Sequence, residues 1–159
     1  MNALHSLVAC LLLVSLTACV IAVGAGPMSL RSLAKGAFSG IREERREVIK
    51  NKAGWEKLWA EHGKLNSPGT NAPAVDFEKE MVIAVTMGTK RTGGYAIEIV
   101  GVEVVDKKLK ISLKETSPPP GAMAIQVLSA PFHFVAVPRN DLAVEFEEAK
   151  PQSKKSGTK

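Results

Sequence analysis

Residues 95–114 read Tyr95-Ala96-Ile97-Glu98-Ile99-Val100-Gly101-Val102-Glu103-Val104-Val105-Asp106-Lys107-Lys108-Leu109-Lys110-Ile111-Ser112-Leu113-Lys114. Tyr95, Ile97 and Ile99 alternate with Ala96 and Glu98; Leu109, Ile111 and Leu113 alternate with Lys108, Lys110, Ser112 and Lys114. A period of two puts one apolar and one polar face on an extended strand. Val100, Val102 and Val104 take the opposite parity, and this phase slip at Gly101 predicts a β-bulge. Asp106-Lys107 between the two runs predicts a tight hairpin.

Outward from this pair, Met81 to Met87 is a near-continuous apolar run, expected of a central strand. Ile125, Val127 and the Phe132 to Val137 run read as further extended chain, with Pro131 at a bend. Val144 and Phe146 alternate with Glu145 and Glu147, an exposed last strand. Upstream, Ile41, Val48 and Ile49 among charges between Phe38 and Lys50 predict a half-exposed strand or pair of strands. Trp55, Leu58, Trp59 and His62 fall at i, i+3, i+4 and i+7, the face of a helix over 52–62. Asn51 suits its cap and Gly63 a left-handed stop. Residues 64–74, with Ser67-Pro68-Gly69, are loop chemistry. Strands joined without helices predict a meander. The fold expected is mainly β (α+β): an antiparallel β-sandwich or partly open barrel with one packed helix near 52–62.

At 159 residues the chain is one domain. Before Arg31 there is no Asp, Glu, Lys or Arg, and Leu7 to Val23 is almost wholly apolar. That is the pattern of a secretory segment. Leu16-Thr17-Ala18-Cys19 resembles a bacterial lipobox, so residues 1–18 are expected to be a signal peptide and Cys19 the lipidation site. Cys10 is then lost with the signal, leaving no second cysteine for a disulfide. Cleavage near Ala25 with soluble secretion, and an uncleaved membrane anchor, stay open. For an uncleaved anchor, the basic residues after the run favour a cytoplasmic domain. Residues 19–37 read as a tether, 38–148 as the β-rich domain and 149–159 as a basic disordered tail. Lys150, Lys154, Lys155 and Lys159 carry most of the net charge of +5; without them 17 basic residues face 16 acidic ones.

Aromatics at 5% are thin for a protein that stacks nucleic-acid bases. Three histidines and two cysteines offer little for a metal, and no cofactor motif is present. After signal removal only His62 and His133 remain, with no nucleophile elbow beside them. Gly88 to Gly94 lacks the Gly-Lys-Ser/Thr ending of a phosphate loop. Glu145, Glu147 and Glu148 read as a charged strand face. No catalytic residue is assigned, and the chain is not expected to be an enzyme.

In a meander, alternate connections share one end of the sheet. Lys90, Arg91, Thr92, Gly93 and Gly94 should therefore lie beside Ser117, Pro118, Pro119, Pro120 and Gly121. One loop is cationic and glycine-rich; the other is stiff polyproline II. Loops on a rigid scaffold are where binding concentrates.

Four segments together carry a family resemblance. They are Trp55-Glu56-Lys57-Leu58-Trp59-Ala60-Glu61-His62, Val75 to Val85, Gly88-Thr89-Lys90-Arg91-Thr92-Gly93-Gly94-Tyr95, and Ser129-Ala130-Pro131-Phe132 continuing to Pro138. Over roughly residues 38–140 the chain resembles the protease complex subunit PrcB family, through its C-terminal domain. The resemblance implies a non-enzymatic accessory subunit of a cell-surface protease complex, among small envelope or lipid-anchored proteins. Thr92-Gly93-Gly94-Tyr95 and Ala130-Pro131-Phe132 are also similar in kind to loop elements of chagasin-type protease inhibitors, with an extra Gly and without the Arg before the proline. The expected function is a non-catalytic, envelope-anchored accessory domain that binds and stabilises or assembles another protein, with a protease as candidate partner. The membrane is reached through Cys19, and nucleic acid is not a partner. The expected contact surface is Lys90 to Tyr95, Ser117 to Gly121 and Pro131-Phe132. A chagasin-like inhibitor and a structural envelope lipoprotein are the alternatives.

Overall fold

The structure, a computed structural model, describes residues 26–64, 71–121 and 123–149. The expected signal peptide, Cys19, Ser67-Pro68-Gly69 and the lysine tail from Lys150 lie outside these residues. The described elements run β1 (Arg31–Gly36), β2 (Glu44–Ile49), α1 (Lys52–Gly63), β3 (Glu80–Met87), β4 (Ala96–Val105), β5 (Lys108–Thr116), β6 (Phe132–Pro138) and β7 (Ala143–Glu148). They form a four-stranded sheet, β1-β6-β3-β2, and a three-stranded sheet, β4-β5-β7. This is a β-dominated α+β sandwich, and the described strands form no closed barrel.

The alternating run behaves as its pattern requires. Asp106 and Lys107 turn the β4–β5 hairpin with φ of 51° and 60°, the two positive values a type I′ turn needs. Pairing slips between Ile99 and Gly101. The slip returns Val102 and Val104 to the same inner face as Ile97 and Ile99. They meet Leu109, Ile111 and Leu113 from β5, and Met81, Ile83, Val85 and Val135 from the facing sheet. The outer face of β5 is solvated, with Lys108 and Lys110 paired to Glu145 and Glu147 at 3.3 and 3.9 Å.

β3 and β6 carry a second core on their other face. Val82, Ala84, Phe132 and Phe134 pack there against Trp55 and Leu58 of α1. Burial on both faces is why these two strands read as continuous apolar runs rather than as alternation. The Asn51 side chain accepts from the Gly54 N–H at 2.8 Å and caps α1. The Trp55 indole N–H donates to the Pro73 carbonyl at 3.0 Å, and its ring meets Phe134 edge-on, centroids 5.8 Å apart.

Gly63 does not stop the helix in a left-handed conformation; Lys64 follows at φ −54°. The last turn is held instead by docking. The Gly40 N–H donates to the His62 carbonyl at 2.8 Å, and a Cβ on Gly40 would lie 2.3 Å from the Glu61 carbonyl oxygen. Backbone is the obstacle, so it has no rotamer by which to yield. Gly40→Ala should therefore cost about 1–3 kcal/mol of stability, the usual range for overpacking, as a lower urea midpoint at unchanged m-value.

Three expectations are corrected. Residues 31–36 are not tether: β1 pairs antiparallel with β6 from Arg31↔Ala136 to Gly36↔Phe132. Met28 N–H also donates to the Val102 carbonyl at 2.7 Å, so the folded domain begins well before residue 38. β1 is an edge strand with only Leu33 and Ala34 against the helix-side core, too little for an apolar period. The sheets are not a meander, and not wholly antiparallel. β6 crosses over to lie between β1 and β3, and β7 runs parallel to β5. Finally, Ile125 and Val127 belong to no strand.

Candidate functional site

β3, β4, β5 and β6 alternate in direction, although they belong to different sheets. The β3–β4 connection (88–95) and the β5–β6 connection (117–131) therefore both cross between sheets at one end of the sandwich. Gly88 turns the chain out of β3 at φ 66°, and Thr89 N–H donates to the Arg42 carbonyl at 3.0 Å. Lys90 and Ser129 exchange backbone hydrogen bonds of 2.7 and 3.0 Å. Ser129 Oγ donates to the Thr92 carbonyl at 2.8 Å, and Gly93 N–H to the Ile125 carbonyl at 2.9 Å. The two loops are thus one hydrogen-bonded surface.

Gly94 has φ 89°, and a Cβ there would stand 3.0 Å from Pro118 Cγ. The glycine-rich and proline-rich loops touch at this point, as the alternation of connections requires. Gly94→Ala should cost about 1–2 kcal/mol for the left-handed backbone alone. The check is a urea melt, with amide shifts at Ser117 and Gly121 reporting the displaced proline. The Lys90 ammonium sits 5.7 Å above the centre of the Tyr95 ring, near enough for cation–π attraction. Tyr95 packs partly into the inter-sheet core. Arg91 is exposed.

Pro131 and Phe132 leave the expected contact surface. Both are buried, Phe132 at 5% exposure with its ring 4.2 Å from that of His62. The Pro131 carbonyl accepts the Met87 N–H at 2.9 Å. With this element inside, the likeness to an inhibitor keeps only one of its two loops. In its place the surface presents Met123, Ile125 and Leu128, exposed at 103%, 79% and 63%, with Phe38 at 51%. The alternation of Ile125 and Val127 around Gln126 is what made this loop resemble a strand. Phe38, Ser39, Arg42, Thr89, Leu128, Ser129 and Ala130 line a small notch of about 110 Å³. A wider groove of about 820 Å³ lies between α1 and residues 71–77.

Charge on this end is unevenly matched. Glu44 and Glu115 are held by Arg46, and Glu43 by Arg45. Arg42, Lys90 and Arg91 form no ion pair among the described residues.

Both histidines sit beside a serine. Ser39 Oγ lies 3.0 Å from His62 Nδ1, and Ser32 Oγ lies 3.0 Å from His133 Nε2. His133 faces away from Phe132 and Phe134, as its place between them predicts, into the space between the sheets. There its Nδ1 accepts the Ile99 N–H at 2.9 Å. An acceptor Nδ1 leaves the ring proton of the neutral imidazole on Nε2, which donates to Ser32. That tautomer cannot take a proton from Ser32, so the pair is a structural tie rather than an activated nucleophile. Burial pushes His133 below the ordinary histidine range, Lys35 pushes it further down, and Glu98 opposes.

Residues 81–138 match the family model described as PrcB C-terminal. No curated protein and no solved structure matches the chain. The matched segment begins in β3, ends with β6 and contains both crossing loops, so the likeness to that family rests on this part of the chain.

Proposed function

We propose that the chain is a non-catalytic accessory domain, exported and anchored at the envelope through Cys19. It binds and stabilises or assembles another protein, with a protease as the expected partner. The observation that carries this reading is the single surface made by the two crossing loops, with Lys90 and Arg91 upon it and in no ion pair among the described residues. Both loops lie inside the segment matched by the family model, which supports an accessory role. The described chain begins where Met28 N–H bonds Val102 and Pro27 pairs with Glu103. That is the end of β4 remote from the loops, so an anchor entering there presents the loops outward.

The test is crosslinking capture of the tagged protein from its native membrane, read by mass spectrometry, with the intact mass checked for lipid on Cys19. Recovery of a protease or other exported protein is expected. Arg91→Glu combined with Thr92→Lys should reduce that capture by about tenfold, or about 1.4 kcal/mol, at an unchanged melting temperature. Unchanged capture removes this surface from the reading.

A further inference from the structure

Large exposed apolar side chains cluster on the loop end: Met123, Ile125 and Leu128, with Phe38 across the notch. Grouped apolar exposure of this kind marks an interaction site more often than scattered exposure does. The floor of the notch is firm. Ser129 and Ala130 are 3% and 7% exposed, and their N–H groups are spent on the Lys90 and Ala37 carbonyls. A site already ordered loses little entropy when it is filled. At about 110 Å³ the notch has room for one aliphatic side chain.

Sign of charge selects the occupant. Arg42 lies on the notch itself, and Lys90 and Arg91 follow Thr89 on the adjoining loop. The nearby acids Glu43, Glu44, Glu61 and Glu115 are shared by Arg45 and Arg46, a surplus of two negative charges against the three cations, so the end keeps a net positive charge carried by groups without an ion pair among the described residues.

We propose that this end holds an acidic segment of a partner protein, one aliphatic side chain seated between Phe38 and Leu128 and its flanking carboxylates on Arg42, Lys90 and Arg91. This rests on the accessory-domain reading and names the chemistry of its partner. Arg42 and Leu128 become the specificity determinants, Leu128 through apolar contact and Arg42 through a charge-assisted hydrogen bond.

The probe is a short fluorescent peptide of Glu and Asp around a central Leu, titrated onto the full chain. One control peptide has Lys in place of the acids, and another has Ala in place of Leu. The acidic Leu peptide should bind, weaken as salt rises, and move the amide signals of Phe38, Thr89 and Leu128. Leu128→Glu and Arg42→Glu should each weaken it by about tenfold with the melting temperature retained, and neither control peptide should bind. Equal binding by the Lys peptide, indifference to Leu128→Glu, or no binding to folded protein overturns the proposal. So does equally salt-sensitive binding to phosphatidylglycerol vesicles without peptide binding. Membrane capture separates the two readings. Capture lost on charge reversal at Arg91, with no peptide binding, overturns the acidic segment and leaves the accessory role; capture indifferent to every loop variant overturns both.

Discussion

Trp55→Ala should lower the free energy of unfolding by about 3–5 kcal/mol, the range for truncating a buried Trp or Phe. Trp55 is 2% exposed and sits where the helix meets the four-stranded sheet. Its ring contacts Phe134 edge-on and Trp59 at 5.4 Å. Removing it opens a cavity walled by β3 and β6, which are pinned on their far side by the inter-sheet core and cannot move inward. It also leaves the Pro73 carbonyl without the indole N–H. Trp59→Ala, on the rim of the same helix, should cost less. The measurement is urea unfolding followed by circular dichroism. A loss below about 1 kcal/mol would mean that α1 is not docked on the sheet, and the helix-side core would have to be abandoned.

Acidification should weaken the fold through its histidines. His133 and His62 both lie below the ordinary histidine value of 6.5, burial being the largest cause for each. The folded state therefore binds fewer protons than the unfolded state between its own pKa values and 6.5. Stability rises with pH wherever the unfolded state holds more protons. The contribution is thus fully present above 6.5 and is lost as pH falls below it. The geometry gives the reason for His133. Nδ1 must accept from Ile99, and a protonated ring would turn a second N–H toward that amide. The charged neighbours are Lys35 on β1, which opposes protonation, and Glu98 on β4, which favours it. Lys35 and Glu98 are themselves paired at 2.7 Å.

The melting temperature should therefore be level from about pH 8 to pH 7 and decline from about pH 6.5 to pH 5. His133→Phe should flatten part of that decline. It should also cost about 1–3 kcal/mol at neutral pH, because the Ile99 N–H loses its acceptor in the core. Asp76, Asp141 and Glu98 are shifted in the same direction for a different reason, each held below the ordinary carboxylate range first by a hydrogen bond from a lysine. Their contribution is present above that range and is lost only at lower pH, so the two windows separate. A melting temperature indifferent to pH from about 8 to 5 would overturn the assignment of His133 as a neutral tie between the sheets.

Legibility in the sequence followed the range of the interaction. The Gly101 slip, the Asp106-Lys107 turn, the Asn51 cap and the Trp55-Leu58-Trp59-His62 face were all readable. Each is a consequence of backbone angles or side-chain direction within a few residues. The meeting of Gly94 with Pro118 was readable for a different reason. The strands from β3 to β6 alternate in direction although they belong to two sheets, so alternate connections share one end here as they do in a meander.

What local pattern could not carry is choice of partner. Residues 31–36 have almost no apolar period, and only pairing with β6 makes them a strand. Nothing in Val144 and Phe146 distinguishes a parallel neighbour from an antiparallel one. The likeness of Ala130-Pro131-Phe132 to an inhibitor loop puts Phe132 on the expected contact surface; the docking of His62 from α1 puts it inside. Ile125 and Val127 alternate like a strand, yet the Lys90–Ser129 pairing holds their segment out as a loop. Alternation and helical period therefore settle which residues are extended, helical or turned, since those follow from φ, ψ and the direction of Cβ. Only the packed sheets and helix settle which of them are covered, because burial depends on elements distant in the chain.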